Sequence, residues 1–308
     1  MKAVRVHRFG GPEVLVIDEL PIPAPGPGEL LVRVAATGVG PWDALIREGK
    51  SKVSPPPPLT LGSDLSGAVE AAGAGVSDFK VGDQVYGVTN PQFCGANAEY
   101  ALASAAMVAR KPGLLSHIEA ASAPVVAVTA WQMLFGYAHA TAGQKILILG
   151  AAGNVGGYAV QLAARSGLHP MAVARPKDGE YVRSLGAETV IDLEAEKFEG
   201  SVTPVDAVID TVGGETRNRS LRILKPGGIL VSIVSDPLPA HPHVRAVFFY
   251  AEVTTARLNN LSRWFDREEL VTEVGTVLPL EKARAAHEML AGAPHKRGKI
   301  VLSAAHGL

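Results

Sequence analysis

Ile146-Leu147-Ile148-Leu149-Gly150-Ala151-Ala152-Gly153-Asn154-Val155-Gly156-Gly157 is the stretch on which the fold turns. Four apolar residues read as a buried strand. They run into a glycine-rich turn, and the turn opens a segment whose apolar positions Val155, Ala159, Leu162 and Ala163 follow helical spacing. Glycine lets the chain reverse tightly and lets backbone N–H groups approach a pyrophosphate with no Cβ in the way. The helix N-terminus adds unpaired donors and a partial positive charge. Gly150, Gly153 and Gly156 give the spacing Gly-x-x-Gly-x-x-Gly, one residue longer at the front than the common dinucleotide fingerprint. Alone, that spacing also fits a strand-to-helix turn with no ligand.

Working outward, the context favours a nucleotide. Segments 145–150, 169–174, 189–191, 205–210, 228–233 and 244–250 read as strands alternating with helices, the pattern of a parallel sheet covered on both faces. Lys225-Pro226-Gly227-Gly228 is expected to end one helix and turn into a strand. The first third is β-rich instead, with strands expected at 29–36, 67–73, 84–88 and 98–102, and the Pro55 to Pro58 run as an extended connection. Beyond Ala256 come a helix, a short strand near Val274, a helix over 281–290 and a last strand at 299–302. On this reading Gly150, Ala152, Gly153, Asn154, Val155 and Gly156 hold a dinucleotide.

The next strand bears on which one. It ends Val173-Ala174-Arg175-Pro176-Lys177, with no carboxylate to accept hydrogen bonds from ribose hydroxyls. Arg175 and Lys177 suit a 2′-phosphate, so NADPH is the expected cofactor. Asp178 blunts the argument, and two solvated surface charges are the alternative reading.

Composition narrows the rest. The 308 residues are 47% hydrophobic and 19% charged with a net charge of -1, which suits a globular chain with a large core. No basic run marks a nucleic-acid or anionic-membrane partner. Cys94 is the only cysteine, so neither an intrachain disulfide nor a thiolate metal cluster can form. The N-terminal residues lack the apolar core of a signal peptide, and the apolar run 120–135 is interrupted by polar residues, so a cytoplasmic location is expected.

A resemblance joins these pieces. The block 150–167, Ser184-Leu185-Gly186-Ala187-Glu188-Thr189-Val190-Ile191-Asp192 and Val205-Asp206-Ala207-Val208-Ile209-Asp210-Thr211-Val212-Gly213-Gly214 resemble the quinone oxidoreductase (zeta-crystallin-like) branch of the medium-chain dehydrogenase/reductase superfamily. Leu61-Gly62-Ser63-Asp64-Leu65-Ser66-Gly67 and Arg297-Gly298-Lys299-Ile300-Val301-Leu302 continue the match. The resemblance implies an α/β protein: a GroES-like β-barrel catalytic domain from 1–120 and 259–308, and a doubly wound Rossmann nucleotide-binding domain over 121–258. It implies an active site between them and a homodimer formed through the last Rossmann strand, which contains Arg245 to Tyr250. It also sets Thr211, Val234, Phe248 and Phe249 against the cofactor.

The same resemblance speaks to the chemistry. Zinc-dependent relatives hold their metal through three separated positions, which here are Gly40, Ser63 and about Val125. One hydroxyl among them cannot hold Zn²⁺, so no bound metal is expected. Without a Lewis acid the acceptors that remain plausible are already electrophilic: quinones and α,β-unsaturated carbonyl compounds. Trp42, Thr129 and Tyr250 are the candidate catalytic-site residues. Trp42 would wall the substrate pocket or simply pack in the barrel; Thr129 matches a threonine on the nicotinamide side of relatives; Tyr250 would donate a proton or serve the core or an interface. Asp43 is expected to anchor its loop. Relatives often carry a tyrosine where Leu193 stands, leaving Arg175 and Lys177 to hold the 2′-phosphate. Two other readings stay open: an enoyl-thioester reductase, and an NADPH-binding protein of crystallin-like or regulatory role without turnover.

Overall fold

The computed structural model describes residues 1–194, 198–201, 203–234, 237–238 and 242–304. The chain divides into two compact units, Met1–Val125 with Glu252–Leu308, and Val126–Ala251. The first unit extends beyond 120 because helix His117–Ser122 lies against strands Glu29–Val39, Asp64–Ala72 and Lys299–Ser303. It resumes before 259 because helix Thr255–Phe265 is tied to strand Val108–Arg110 and to Tyr86. The Thr255 hydroxyl donates to the carbonyls of Ala105 and Val108, and the Tyr86 hydroxyl donates to the carbonyl of Leu258.

In the first unit, a seven-stranded sheet is organised on the eleven-residue strand Glu29–Val39. One edge of this strand pairs antiparallel with Asp64–Ala72 along its length. The other edge is shared, Tyr100–Ser104 taking residues 29–33 and Lys299–Ser303 taking 36–39. Register shifts at Leu31/Val32 and Val34/Ala36 mark bulges, which bend and twist the sheet around a core of Val4, Leu30, Val32, Leu65, Val85 and Leu302. A smaller sheet pairs Lys2–Val6 with Leu15–Glu19 and Leu59–Thr60. The fourth expected strand runs Tyr100–Ser104 rather than 98–102, because Ala98 instead forms an isolated bridge with Ala3.

The second unit holds a six-stranded, wholly parallel sheet. Its order is Thr189–Asp192, His169–Ala174, Lys145–Leu149, Val205–Asp210, Leu224–Ser232, Arg245–Phe248. Both faces are covered, so central strands such as Lys145–Leu149 are nearly continuous apolar runs. One expectation is corrected. Lys225-Pro226-Gly227-Gly228 does not precede its strand but lies inside it. Leu224 already pairs with Val205, the exposed Lys225, Pro226 and Gly227 loop out, and pairing resumes at Ile229 opposite Ala207. Leu224 is drawn in because its side chain joins the apolar cluster around Val205 and Leu230, while Gly227 supplies the positive φ of 80° that the bulge needs. Among the described residues, no helix is long and apolar enough to cross a membrane.

Candidate active site

The sheet of the second unit reverses its strand order between Lys145–Leu149 and Val205–Asp210, the position at which open parallel sheets bind ligands beyond their carboxyl ends. The turn after Leu149 sits at that point. Gly150 adopts φ 74°, and the amide of Gly153 donates to its carbonyl at 2.9 Å. Helix Asn154–Arg165 then starts from Gly153 with no side-chain cap, leaving its first amides turned outward. The third glycine has a packing reason: a Cβ on Gly156 would lie 2.1 Å from the Gly150 carbonyl oxygen and 2.8 Å from Ala151 Cα. The helix therefore seats directly on the turn, and Gly153 and Asn154 face solvent.

The other sequence-derived cofactor positions follow the carboxyl ends of neighbouring strands on this same edge. Thr211 follows Val205–Asp210, and its hydroxyl donates to the Leu149 carbonyl at 2.8 Å, closing the turn from the side. Asp210 is fully buried and accepts from the amides of Val212 and Gly213 and from the Ser232 hydroxyl. Ser232 in turn accepts from the Val234 amide at 3.1 Å. Arg175 and Lys177 follow His169–Ala174 on an exposed turn, and among the described residues neither pairs with a carboxylate. Leu193 donates its amide to Ala174 beside them. Phe248 and Phe249 close the last strand, but Phe249 is buried with its ring stacked on Tyr137 at 4.3 Å. Tyr250 is 63% exposed and meets Phe248 edge-on. Thr129 is buried within helix Pro124–Trp131, which passes into a π-type turn over Gln132–Tyr137.

The first unit assembles a separate cluster around Trp42. Gly40 precedes helix Pro41–Arg47, and its amide donates to the Asp43 carboxylate at 2.8 Å, so Asp43 anchors the helix start. Burial pushes the Asp43 carboxyl up to about 7, against the pull of the Gly40 amide and Lys299. The Trp42 indole N–H donates to the Ser63 hydroxyl at 2.9 Å. Its ring covers Gly40 so closely that a Cβ there would lie 2.3 to 2.6 Å from three ring carbons. Lys299 Nζ stands 4.1 Å from the centre of the indole and 3.0 Å from Asp64, whose other carboxylate oxygen accepts from the Val125 amide. Lys299 and Asp64 are both buried; burial raises the Asp64 carboxyl while the Lys299 ammonium pulls it back.

Sequence reasoning named Trp42 and missed Lys299 as part of its surroundings. A lysine opening an otherwise apolar closing strand was the one hint, and it does not by itself mark a buried group. Of the three positions that the resemblance matched to zinc ligands, Gly40 and about Val125 offer no side-chain donor, and the Ser63 hydroxyl is bound to Trp42. Among the described residues, no group of three or more His, Cys, Asp or Glu is placed to hold a metal ion.

Residues 26–135 match the alcohol dehydrogenase GroES-like domain, and residues 185–302 match the family described as zinc-binding dehydrogenase. The quinone oxidoreductase of Lama guanicoe is 32% identical over 322 residues, covering 98% of this chain and 97% of that protein. A mitochondrial NAD(P)H oxidoreductase of Bos taurus is 35% identical over 260 residues, covering 76% of this chain and 66% of that protein. The structure of the quinone oxidoreductase from Coxiella burnetii superposes with a TM-score of 0.89 at 33% identity, covering 98% of this chain and 99% of that one. The expected architecture, a GroES-like unit and a Rossmann-like unit, is borne out.

Proposed function

We propose, from the fact that this chain belongs to the quinone oxidoreductase branch of the medium-chain dehydrogenase/reductase superfamily, that it transfers a hydride from NADPH to a quinone or an α,β-unsaturated carbonyl compound without a metal. It is an oxidoreductase that uses a nicotinamide cofactor. The observation that carries the finer reading is the glycine turn at the strand-order reversal, with two exposed cations, Arg175 and Lys177, that pair with no carboxylate among the described residues, at the end of the adjacent strand.

In this reading the outward amides at Asn154 and Val155 hold the pyrophosphate, and Gly150, Ala152, Gly153 and Gly156 keep side chains out of its way. Arg175 and Lys177 take the 2′-phosphate as charge-assisted partners. Thr211, Val234, Phe248 and Phe249 border the cofactor, and Thr129 stands on the nicotinamide side. The bound nicotinamide supplies a hydride. Trp42 lines the acceptor side and occupies the Ser63 hydroxyl, so Ser63, with Gly40 and Val125, leaves no donor set for zinc. That favours acceptors that need no Lewis acid, and a proton from a hydroxyl, with Tyr250 as candidate, or from water balances the two-electron reduction at the acceptor oxygen. The chain is further proposed to form a homodimer through Arg245–Phe248, the edge strand of its sheet.

The test is NADPH oxidation with a panel of quinones and enones. Turnover of at least one class, with NADPH preferred over NADH, is the expected result. Tight NADPH binding with no acceptor reduced would replace this reading with a non-catalytic binding role.

A further inference from the structure

Nothing in the reaction outlined above uses Lys299 or Asp64, yet the fold gives up side chains to make room for them. A Cβ on Gly38 would lie 2.9 Å from Lys299 Cε, 3.1 Å from Asp64 Cβ and 2.5 Å from the Ala121 carbonyl oxygen. Two residues on, Gly40 is bare so that the Trp42 ring can lie on the backbone. The indole is thus held in three ways: its edge against Gly40, its N–H on Ser63, and its face over the Lys299 ammonium. Lys299 cannot drift, because Asp64 grips it and is itself bound to the Val125 amide. A half-buried tryptophan fixed so completely does not yield to a ligand as a rotamer-free aromatic would. One helical turn further, Leu45 is 46% exposed.

We propose that Trp42 is the size filter of the acceptor site, restricting it to single-ring quinones and short enones, and that Lys299, clamped by Asp64, is the positioning residue that holds the filter rigid. This rests on the reductase reading above. Trp42 acts by occupying volume where a second or third fused ring would otherwise lie. Lys299 touches no acceptor and acts through the indole.

The experiment compares kcat/KM for 1,4-benzoquinone and 9,10-phenanthrenequinone, with NADPH, in the full chain and in Trp42→Ala, Trp42→Phe, Lys299→Met and Lys299→Arg. Trp42→Ala is expected to raise the large-to-small ratio by about tenfold or more, the range one pocket-filling group commands. Trp42→Phe should fall between. Lys299→Met should move the ratio in the same direction through KM rather than kcat, and Lys299→Arg should restore it, since a guanidinium both pairs with a carboxylate and stacks on an indole. The Trp42 emission, taken as the difference between each protein and its Trp42→Phe counterpart, should shift to the red in Lys299→Met. Where Lys299→Met does not fold, Lys299→Met combined with Asp64→Asn removes the stranded charge and serves in its place. A ratio unchanged in Trp42→Ala overturns the filter, and an unshifted emission or a failed arginine rescue overturns the clamp. If the unmodified chain reduces neither these quinones nor any enone of the panel above, the reductase reading falls, and the emission measurement, which needs no acceptor, still decides the clamp.

Discussion

Glycines do opposite work in the two units. At Gly153 and Gly156 the missing side chains let backbone approach backbone, at Gly150 the missing side chain makes room for Thr211 and Val212, and the exposed helix start keeps its amides open. At Gly38 and Gly40 they admit the protein's own Lys299 and Trp42, and the space is filled. The first site is an open cradle whose charges, Arg175 and Lys177, are exposed. The second is a closed cluster whose charges, Lys299 and Asp64, are buried and paired. The contrast teaches that a bare backbone alone does not mark a ligand site; what separates the two is whether the amides and charges beside it stay exposed.

The largest expected effect breaks the closed site. Lys299→Met leaves the Asp64 carboxylate buried with no counter-charge, and removing one partner of such a pair costs on the order of 3–5 kcal/mol. Chemical denaturation should show that loss, and adding Asp64→Asn should recover much of it. A loss under about 1 kcal/mol would mean that water reaches the pair and that the site is not closed.

The same burial makes the closed site sensitive to pH. The Asp43 carboxyl is pushed up to about 7, chiefly by desolvation, with Asp64 adding to the rise and Lys299 and the amides of Gly40 and Gly62 opposing it. A carboxyl that holds its proton more tightly folded than unfolded stabilises the native state at low pH. It does so fully below the unfolded value near 4, and progressively less as pH rises through 7. At about 1.4 kcal/mol per pH unit the swing reaches a few kcal/mol. Asp43→Asn keeps an acceptor for the Gly40 amide and cannot ionise. Its stability relative to the parent should therefore rise between pH 4 and pH 8; a difference that stays flat with pH would sink the assignment.

Next in size is the cradle's own packing. Gly156→Ala forces a methyl into the Gly150 carbonyl and the Ala151 backbone, neither of which can rotate away. A cost of about 1–3 kcal/mol is expected, with weaker nucleotide binding measured by titration. Gly40→Ala drives a methyl into the indole edge and forces the ring out of at least one of its three holds, so its cost should be of similar size and register directly in the Trp42 emission.

How much of this was legible in the sequence follows the same contrast. The cradle was readable because strand, turn and helix lie within twelve consecutive residues, 146–157, and Gly153 and Gly156 act on near neighbours, though Gly150 also makes room for Thr211. The parallel sheet was readable from its continuous apolar runs. The closed cluster was not, because Lys299 reaches Asp64 across 235 positions and nothing local distinguishes a buried lysine from one that opens an ordinary edge strand. The strand Leu15–Glu19 escaped for another reason: Val16 and Ile17 are both exposed, so it lacks the alternation that marks a half-buried strand. The bulge at Lys225 to Gly227 was taken for a helix end because Pro-Gly-Gly carries a turn signal, while Leu224 pairing with Val205 is visible only in three dimensions.

The smallest effect isolates the open site from everything that holds the fold together. Arg175 is exposed on a turn, and among the described residues it forms no ion pair, so Arg175→Ala should leave denaturation midpoints nearly unchanged, within about 0.5 kcal/mol. Its effect should fall on the cofactor alone. Losing one of two cations facing a 2′-phosphate is expected to raise the KM for NADPH about tenfold, roughly 1.4 kcal/mol, with the KM for NADH unmoved. Lys177→Ala should act in the same direction, and the double variant should approach parity between the two cofactors. Equal changes for NADPH and NADH would show that these cations do not read the phosphate. The open cradle would then hold both cofactors through the pyrophosphate they share, and both charges would be ordinary solvated surface groups.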